Sequence, residues 1–261
     1  MSSLEAPSPG VLGHVSTGRG AARVIVLHDW MGDHRNYEPM LPYLSERALS
    51  YVFADLRGYG LSRDLLGRYT LDEAAGDVLA LAQHLGWSRY HLVGHSMSSL
   101  VAQQVASVAG DSVDKLVLLT PLGPAGIVVP EPIIEYLEQL AVDEPLRRAG
   151  IGNQWGDRLS SAWLEFKLER WKQSARVDAV RAYVRMFSGG SVSEGLPGHI
   201  EPLVVTGEHD SEPFTESSVR AAMASAYRNY QHVVCRNAGH YPMQETPVAL
   251  ATAIERYLLD E

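Results

Sequence analysis

The chain has 261 residues, of which 46% are hydrophobic and 20% are charged. At roughly 100–200 residues per domain, this length fits one large domain or two small ones, and the composition excludes a disordered or low-complexity protein. The formal net charge is −9 and there is no basic run, so nucleic acids and anionic membranes are poor candidate partners. The single cysteine, Cys235, excludes an intrachain disulfide and a zinc site built from cysteines.

The first 25 residues lack the apolar segment of a secretory signal. No apolar run reaches the ~18 residues that a membrane helix needs. We therefore expect a cytoplasmic protein that does not act at a membrane, and nothing in the composition indicates its oligomeric state.

Short apolar runs alternate with helical patterns along most of the chain. Residues 24–27 (VIVL) are typical of a strand covered on both faces, and the apolar spacing from Tyr37 to Leu44 predicts a helix over 36–47. Thr70 and Glu73 have capping-box spacing at the start of a helix that ends before Gly86. The other predicted elements are strands at 51–54, 91–93, 115–120, 203–206 and 232–235, and helices at 70–85, 99–109, 219–227 and near the C-terminus, where Leu250, Ile254 and Leu258 form the apolar stripe.

Repeated strand–helix–strand units predict a mostly parallel, doubly wound α/β sheet. Residues 123–195 interrupt the alternation with helical patterns that are rich in aromatic residues, and Pro and Gly mark both ends of this segment. We interpret residues 1–122 and 196–261 as the α/β core and residues 123–195 as a helical insertion. Because ligands of parallel sheets bind at the carboxyl ends of the strands, the residues after each strand are the candidates for function.

Gly94-His95-Ser96-Met97-Ser98 lies between a predicted strand and a predicted helix. This nearly fits the G-x-S-x-G nucleophile elbow, a tight turn that exposes the serine hydroxyl at a helix N-terminus. Ser98 stands where the second glycine is usual. The alternative interpretation of Ser96 is a helix-capping serine.

A serine nucleophile needs a base, and the base needs an acid partner that holds its tautomer. His240 follows the last predicted strand in a Gly- and Pro-containing loop, which is the position that a base requires. Asp210 follows the strand at 203–206 and is the predicted acid, with Glu208 as its competitor. The strand at 115–120 ends in Thr120-Pro121 and offers no carboxylate.

A developing oxyanion needs fixed N–H donors. We expect one donor to be the backbone amide of Met97 and the other that of Trp30, in the loop after the strand at 24–27. His28, Asp29, Trp30 and Tyr241 are predicted to line the substrate pocket, although His28 also has the position of a structural hydrogen-bonding residue.

Taken together, these motifs resemble the α/β-hydrolase family over nearly the whole chain. His28 to Gly32 resembles the family's oxyanion loop, Asp55 to Ser62 its D-x-R-G-x-G-x-S loop, and Gly239-His240 with Glu245-Thr246-Pro247 its C-terminal motif. The resemblance implies that residues 123–195 form a helical cap over the active site. Two positions depart from the pattern, because Asp29 and Ser98 each replace a glycine.

Ser96 argues against the haloalkane dehalogenases and epoxide hydrolases of this fold, which use aspartate as the nucleophile. The leading hypothesis is a hydrolase that cleaves a small carboxylic ester, thioester or lactone through an acyl-enzyme on the triad Ser96, His240 and Asp210, without a metal or another cofactor. One alternative is a C–C bond hydrolase, in which Arg170, Arg181 or Arg185 binds a substrate carboxylate. A cofactor-free dioxygenase, suggested by the segment from Trp30 to Tyr37, and a non-catalytic ligand-binding protein are the others.

Overall fold

The computed structural model describes residues 3–4, 10–155, 158–192 and 195–260. Its strands are β1 (Ser3–Leu4), β2 (His14–Gly18), β3 (Ala22–Leu27), β4 (Leu49–Ala54), β5 (Tyr90–His95), β6 (Val113–Leu119), β7 (Leu203–Gly207) and β8 (Gln231–Cys235). Its α-helices are α1 (Leu71–His84), α2 (Met97–Val108), α3 (Glu131–Gln139), α4 (Glu144–Trp155), α5 (Ser161–Ser174), α6 (Val177–Gly189), α7 (Glu216–Ala226), α8 (Pro242–Glu245) and α9 (Pro247–Leu259).

The strands form one sheet in the order β1-β2-β4-β3-β5-β6-β7-β8. All strand pairs from β4 to β8 are parallel, whereas β1 and β2 are antiparallel additions at one edge. The predicted α/β class is therefore confirmed, and β2 is an element that the sequence pattern did not reveal. Almost every residue at the centre of the sheet is buried, as expected for strands covered by helices on both faces.

The prediction of a regular α-helix over 36–47 was wrong. The segment His34–Tyr43 is a 3-10 helix with Pro39 and Pro42 inside it. A proline lacks the N–H that an α-helix needs and its ring clashes with the preceding turn, so the tighter helix forms instead. Asp33 caps this segment by accepting a hydrogen bond from the backbone N–H of Arg35.

The predicted helix start at Thr70 is confirmed, with one of the two hydrogen bonds of a capping box and with the Glu73 carboxylate bound to the residue before the cap. The Thr70 hydroxyl accepts a hydrogen bond from the Glu73 amide, and the Glu73 carboxylate accepts one from the Tyr69 amide. Gly86 follows the helix with a φ of +66°, which is the left-handed conformation that glycine adopts most easily.

The described part of residues 123–195 contains the helices α3 to α6 and no strand. Helix α3 packs against α6, and α4 packs against α5. The boundaries of the insertion after residue 122 and before residue 196 stay predictions. Across the described residues, no helix combines the length and the apolar character that a membrane span requires.

Candidate active site

Four loops meet at the carboxyl edge of the sheet, where the strands β3, β5, β7 and β8 end. They carry Asp29 and Trp30, Ser96, Asp210, and His240, respectively. Parallel strands bring these loops together although they are far apart in the sequence.

The turn at Ser96 is a strained elbow between β5 and α2. Ser96 has φ 53° and ψ −117°, a conformation that non-glycine residues rarely adopt. The turn depends on Gly94, because a Cβ atom there would lie 2.5 Å from the Ser98 carbonyl oxygen. Ser98 fits in place of the usual glycine, since its buried hydroxyl donates a hydrogen bond to the His28 carbonyl.

His240 lies between Ser96 and Asp210. Its Nε2 is 2.9 Å from Ser96 Oγ, and its Nδ1 is 2.8 Å from Asp210 Oδ2. The carboxylate favours the tautomer with the proton on Nδ1, which leaves Nε2 able to accept the serine proton. Burial disfavours the imidazolium, but the Asp210 carboxylate outweighs this effect and holds the pKa of His240 above its ordinary value.

The loops after β7 and β8 are joined through their backbones. The His209 amide donates to the Ala238 carbonyl over 2.9 Å, and a Cβ at Gly207 would lie 2.0 Å from the Gly239 carbonyl oxygen. This close approach places Asp210 against His240. The competitor Glu208 binds Arg236 and the Asn237 amide instead.

Trp30 and Met97, the predicted oxyanion donors, both line a cavity together with Ser96 and His240. The Trp30 indole donates to the Val180 carbonyl over 2.9 Å, and the Trp30 carbonyl accepts a hydrogen bond from Tyr59 over 2.9 Å. The backbone around Trp30 is thus held on one side by α6 of the insertion and on the other by the core.

The cavity has a volume of about 530 Å³ and a mostly apolar wall. Its apolar lining residues are Trp30, Met31, Met97, Leu122, Ile127, Val129, Ile133, Leu137, Phe187, Pro213 and Phe214. Asp29 and Glu212 are the carboxylate residues in this wall, and no described residue that lines it is Arg or Lys. An apolar pocket of this size with a few polar groups is typical of a small-molecule site.

The sheet order agrees with the comparison with known families. The model described as the alpha/beta hydrolase family matches residues 24–253. This chain belongs to that family.

The proteins to which this chain is similar carry names that state different activities. The chain is 30% identical over 175 residues to the AB hydrolase superfamily protein YisY of Bacillus subtilis. This alignment covers 64% of this chain and 63% of that relative's length. It is 26% identical over 260 residues to the 2-heptyl-3-hydroxy-4-quinolone dioxygenase AqdC2 of Rhodococcus erythropolis, covering 95% of this chain and 93% of that protein. The structure of a thermophilic esterase from Thermogutta terrifontis has a TM-score of 0.82, at 22% identity over 100% of this chain and 98% of that one.

Two residues predicted to line the pocket do not line the cavity. His28 is fully buried, donates from Nδ1 to the Asp29 carbonyl over 2.6 Å and accepts at Nε2 from the Leu56 amide over 3.0 Å. Tyr241 is also fully buried, and its hydroxyl donates to Asp29 Oδ2 over 2.5 Å. Each of these two rings is instead turned into the core by the hydrogen bonds that it makes there, so neither reaches the cavity.

Asp29 belongs to the cavity wall, but it is almost completely buried. Its carboxylate accepts hydrogen bonds from Asn36 Nδ2 over 2.6 Å, from the Met31 amide over 3.1 Å and from the Tyr241 hydroxyl. Sequence reasoning found Asp29 as a departure from the family pattern but missed Lys167, whose side chain is 1% exposed beside this group.

Asp33, His34 and Asp55 form a group whose ligand-capable atoms lie within 4.8 Å of one another. Both carboxylates are occupied by N–H donors. Asp33 accepts from the Arg35 guanidinium, and Asp55 accepts from His34 and from the Leu61 amide over 2.7 Å. These bonds give the group a structural role, in which Asp55 holds the turn that follows β4.

Proposed function

We propose that this protein is a serine hydrolase that cleaves a small, uncharged carboxylic ester, thioester or lactone. The observation that carries the proposal is the continuous contact from Ser96 Oγ through His240 to Asp210 at the wall of an apolar cavity. A serine hydroxyl becomes a useful nucleophile when such a base removes its proton during attack.

In this mechanism Ser96 Oγ attacks the carbonyl carbon of the substrate while its proton moves to His240 Nε2. Asp210 stabilises the resulting imidazolium through Nδ1–H. The amides of Trp30 and Met97 donate hydrogen bonds to the oxyanion of the tetrahedral intermediate. The C–O or C–S bond to the leaving group then breaks, and His240 returns the proton to that group. Water repeats the sequence on the acyl-enzyme and releases the acid.

The charges around the cavity favour an uncharged substrate. The three arginines considered for binding a substrate carboxylate do not line the cavity. Arg170 pairs with Glu38 over 2.6 Å, Arg185 binds Glu131 over 3.0 Å, and Arg181 lies 3.4 Å from the Glu138 carbonyl. The Glu212 carboxylate in the cavity wall would repel an anion, so the geometry does not favour the C–C hydrolase.

A cofactor-free dioxygenase is the second candidate, because the Rhodococcus relative named as a quinolone dioxygenase matches 95% of the chain. In that reaction His240 would take the hydroxyl proton of a hydroxylated heteroaromatic ring, and O₂ would be the co-substrate. The direct contact between His240 and Asp210 serves base catalysis in either reaction, so the two candidates differ in whether Ser96 forms a covalent bond.

The decisive experiment treats the wild-type protein and Ser96→Ala with a fluorophosphonate probe. Ser98→Gly, which changes the neighbouring serine of the same elbow, is the matched control. Labelling that disappears only in Ser96→Ala, with turnover of p-nitrophenyl esters between acetate and octanoate, supports the hydrolase. Absent labelling with His240-dependent O₂ uptake on 3-hydroxy-4-quinolones supports the dioxygenase, and absence of both refutes both and leaves the ligand-binding protein.

A further inference from the structure

Lys167 places an ammonium group in the interior, on helix α5 of the insertion. Lysine is almost never buried to this degree without a partner. Its Nζ lies 3.5 Å from the centroid of the Tyr241 ring and 3.5 Å from Asn36 Oδ1. Burial lowers the pKa of Lys167 to about 8, so the ammonium form predominates at neutral pH.

The two groups that hold Lys167 also hold Asp29. Tyr241 presents its ring to the Lys167 ammonium and donates a hydrogen bond from its hydroxyl to the Asp29 carboxylate. Asn36 presents Oδ1 to the ammonium and donates from Nδ2 to the carboxylate. The opposite charges of Lys167 and Asp29 are therefore separated by a single layer of polar side chains.

The other charges near this pair have partners of their own. Asp33 and Glu245 also face Lys167, but Asp33 pairs with Arg35 and Glu245 pairs with Arg158. On the side of the carboxylate, His95 Nδ1 lies 4.0 Å from Asp29 Oδ1. Burial lowers the pKa of His95 to about 3, so His95 is neutral at neutral pH and Lys167 is the cation that balances Asp29.

We infer that Lys167 and Asp29 are positioning residues, which form a buried ion pair bridged by Tyr241 and Asn36. The pair fixes the loop that carries the Trp30 amide and balances the charge beside His240. The consequence for catalysis rests on the proposed hydrolase function, whereas the charge balance can be measured without any substrate.

Each member of the pair acts on His240 with the opposite sign. The titratable groups that face His240 are Asp210 from the loop after β7, Asp29 from the loop after β3, Lys167 from α5 and the neutral His95 from β5. The Asp29 carboxylate raises the pKa of His240 and the Lys167 ammonium lowers it. Removal of either charge therefore shifts that pKa, whereas removal of both leaves it nearly unchanged.

The test measures the His240 pKa by NMR titration of ¹⁵N-histidine-labelled protein. We expect Asp29→Asn to shift it downward, Lys167→Met to shift it upward, and the double variant to return it close to the wild-type value. Lys172→Met removes an exposed charge from the same helix and should leave the pKa unchanged. Shifts of the same sign in both single variants, or shifts no larger than that of Lys172→Met, would overturn the inference.

A kinetic readout tests the positioning role on the ester that wild type turns over best. We expect each single variant to lower kcat by roughly tenfold with little change in KM, less than the 100–1,000-fold that loss of an oxyanion donor itself costs. The double variant should recover part of this loss. If the fluorophosphonate probe does not label Ser96 in the wild type, the proposed function fails, but the NMR titration still decides the ion pair.

Discussion

Tyr241→Phe removes one hydroxyl group from the buried network around Asp29. The ring stays, so its contact with Lys167 is retained and the change isolates the hydrogen bond to the carboxylate. Hydrogen bonds to charged groups contribute about 1.5–3 kcal/mol, and both partners are at most 1% exposed. The variant should therefore lose about 2 kcal/mol of unfolding free energy, a large share of the roughly 5–15 kcal/mol that a protein has.

Urea denaturation at neutral pH measures this loss, and Tyr37→Phe is the matched control. The Tyr37 hydroxyl is equally buried and donates to the neutral Leu27 carbonyl over 3.0 Å, so its removal should cost only about 1 kcal/mol. In an Asp29→Asn background the difference between the two tyrosines should shrink. Equal losses in the two variants of the wild-type protein would refute the argument that the Asp29 charge strengthens the bond.

Two further predictions concern the base and the elbow. Asp210→Asn should lower kcat/KM by roughly 10³–10⁴-fold. It should also move the acidic limb of the pH profile of kcat/KM to lower pH, because the carboxylate that raises the His240 pKa is lost. An acidic limb that stays at the wild-type pH would contradict this prediction. Gly94→Ala should cost about 1–3 kcal/mol in thermal unfolding and reduce probe labelling, because its Cβ meets the Ser98 carbonyl. Gly76→Ala, whose Cβ meets nothing within 4 Å inside α1, should instead gain about 0.5–1 kcal/mol.

The sheet and the main site residues could be predicted because their signals are local. Each predicted strand is a short apolar run, and Ser96, Asp210 and His240 each follow such a run within a few residues. Strand β2 was not predicted because its sequence, HVSTG, has no apolar pattern and its place depends on pairing with β4. The 3-10 helix was not predicted because the apolar spacing from Tyr37 to Leu44 is that of an α-helix, which Pro39 and Pro42 prevent.

The network behind the cavity could not be predicted, because it depends on packing between distant segments. Nothing in the local sequence distinguishes the buried Lys167 from the exposed Lys172 on the same helix. His28 and Tyr241 do not line the cavity as predicted, for the same reason. Their positions next to cavity residues are visible in the sequence, whereas the side to which each ring turns is set by the hydrogen bonds that it makes in the core.

The backbone contact between the loops at Gly207 and Gly239 separates the chemistry from the choice of substrate. This contact sets the distance between Asp210 and His240 without help from the side chains that follow Asp210. Those next residues, 211–214, all belong to the cavity wall. Substitutions there can reshape the pocket while Asp210 stays in register with His240. This part of the chain is therefore free to diverge between homologues that act on different molecules, and it is a natural place to randomise in directed evolution.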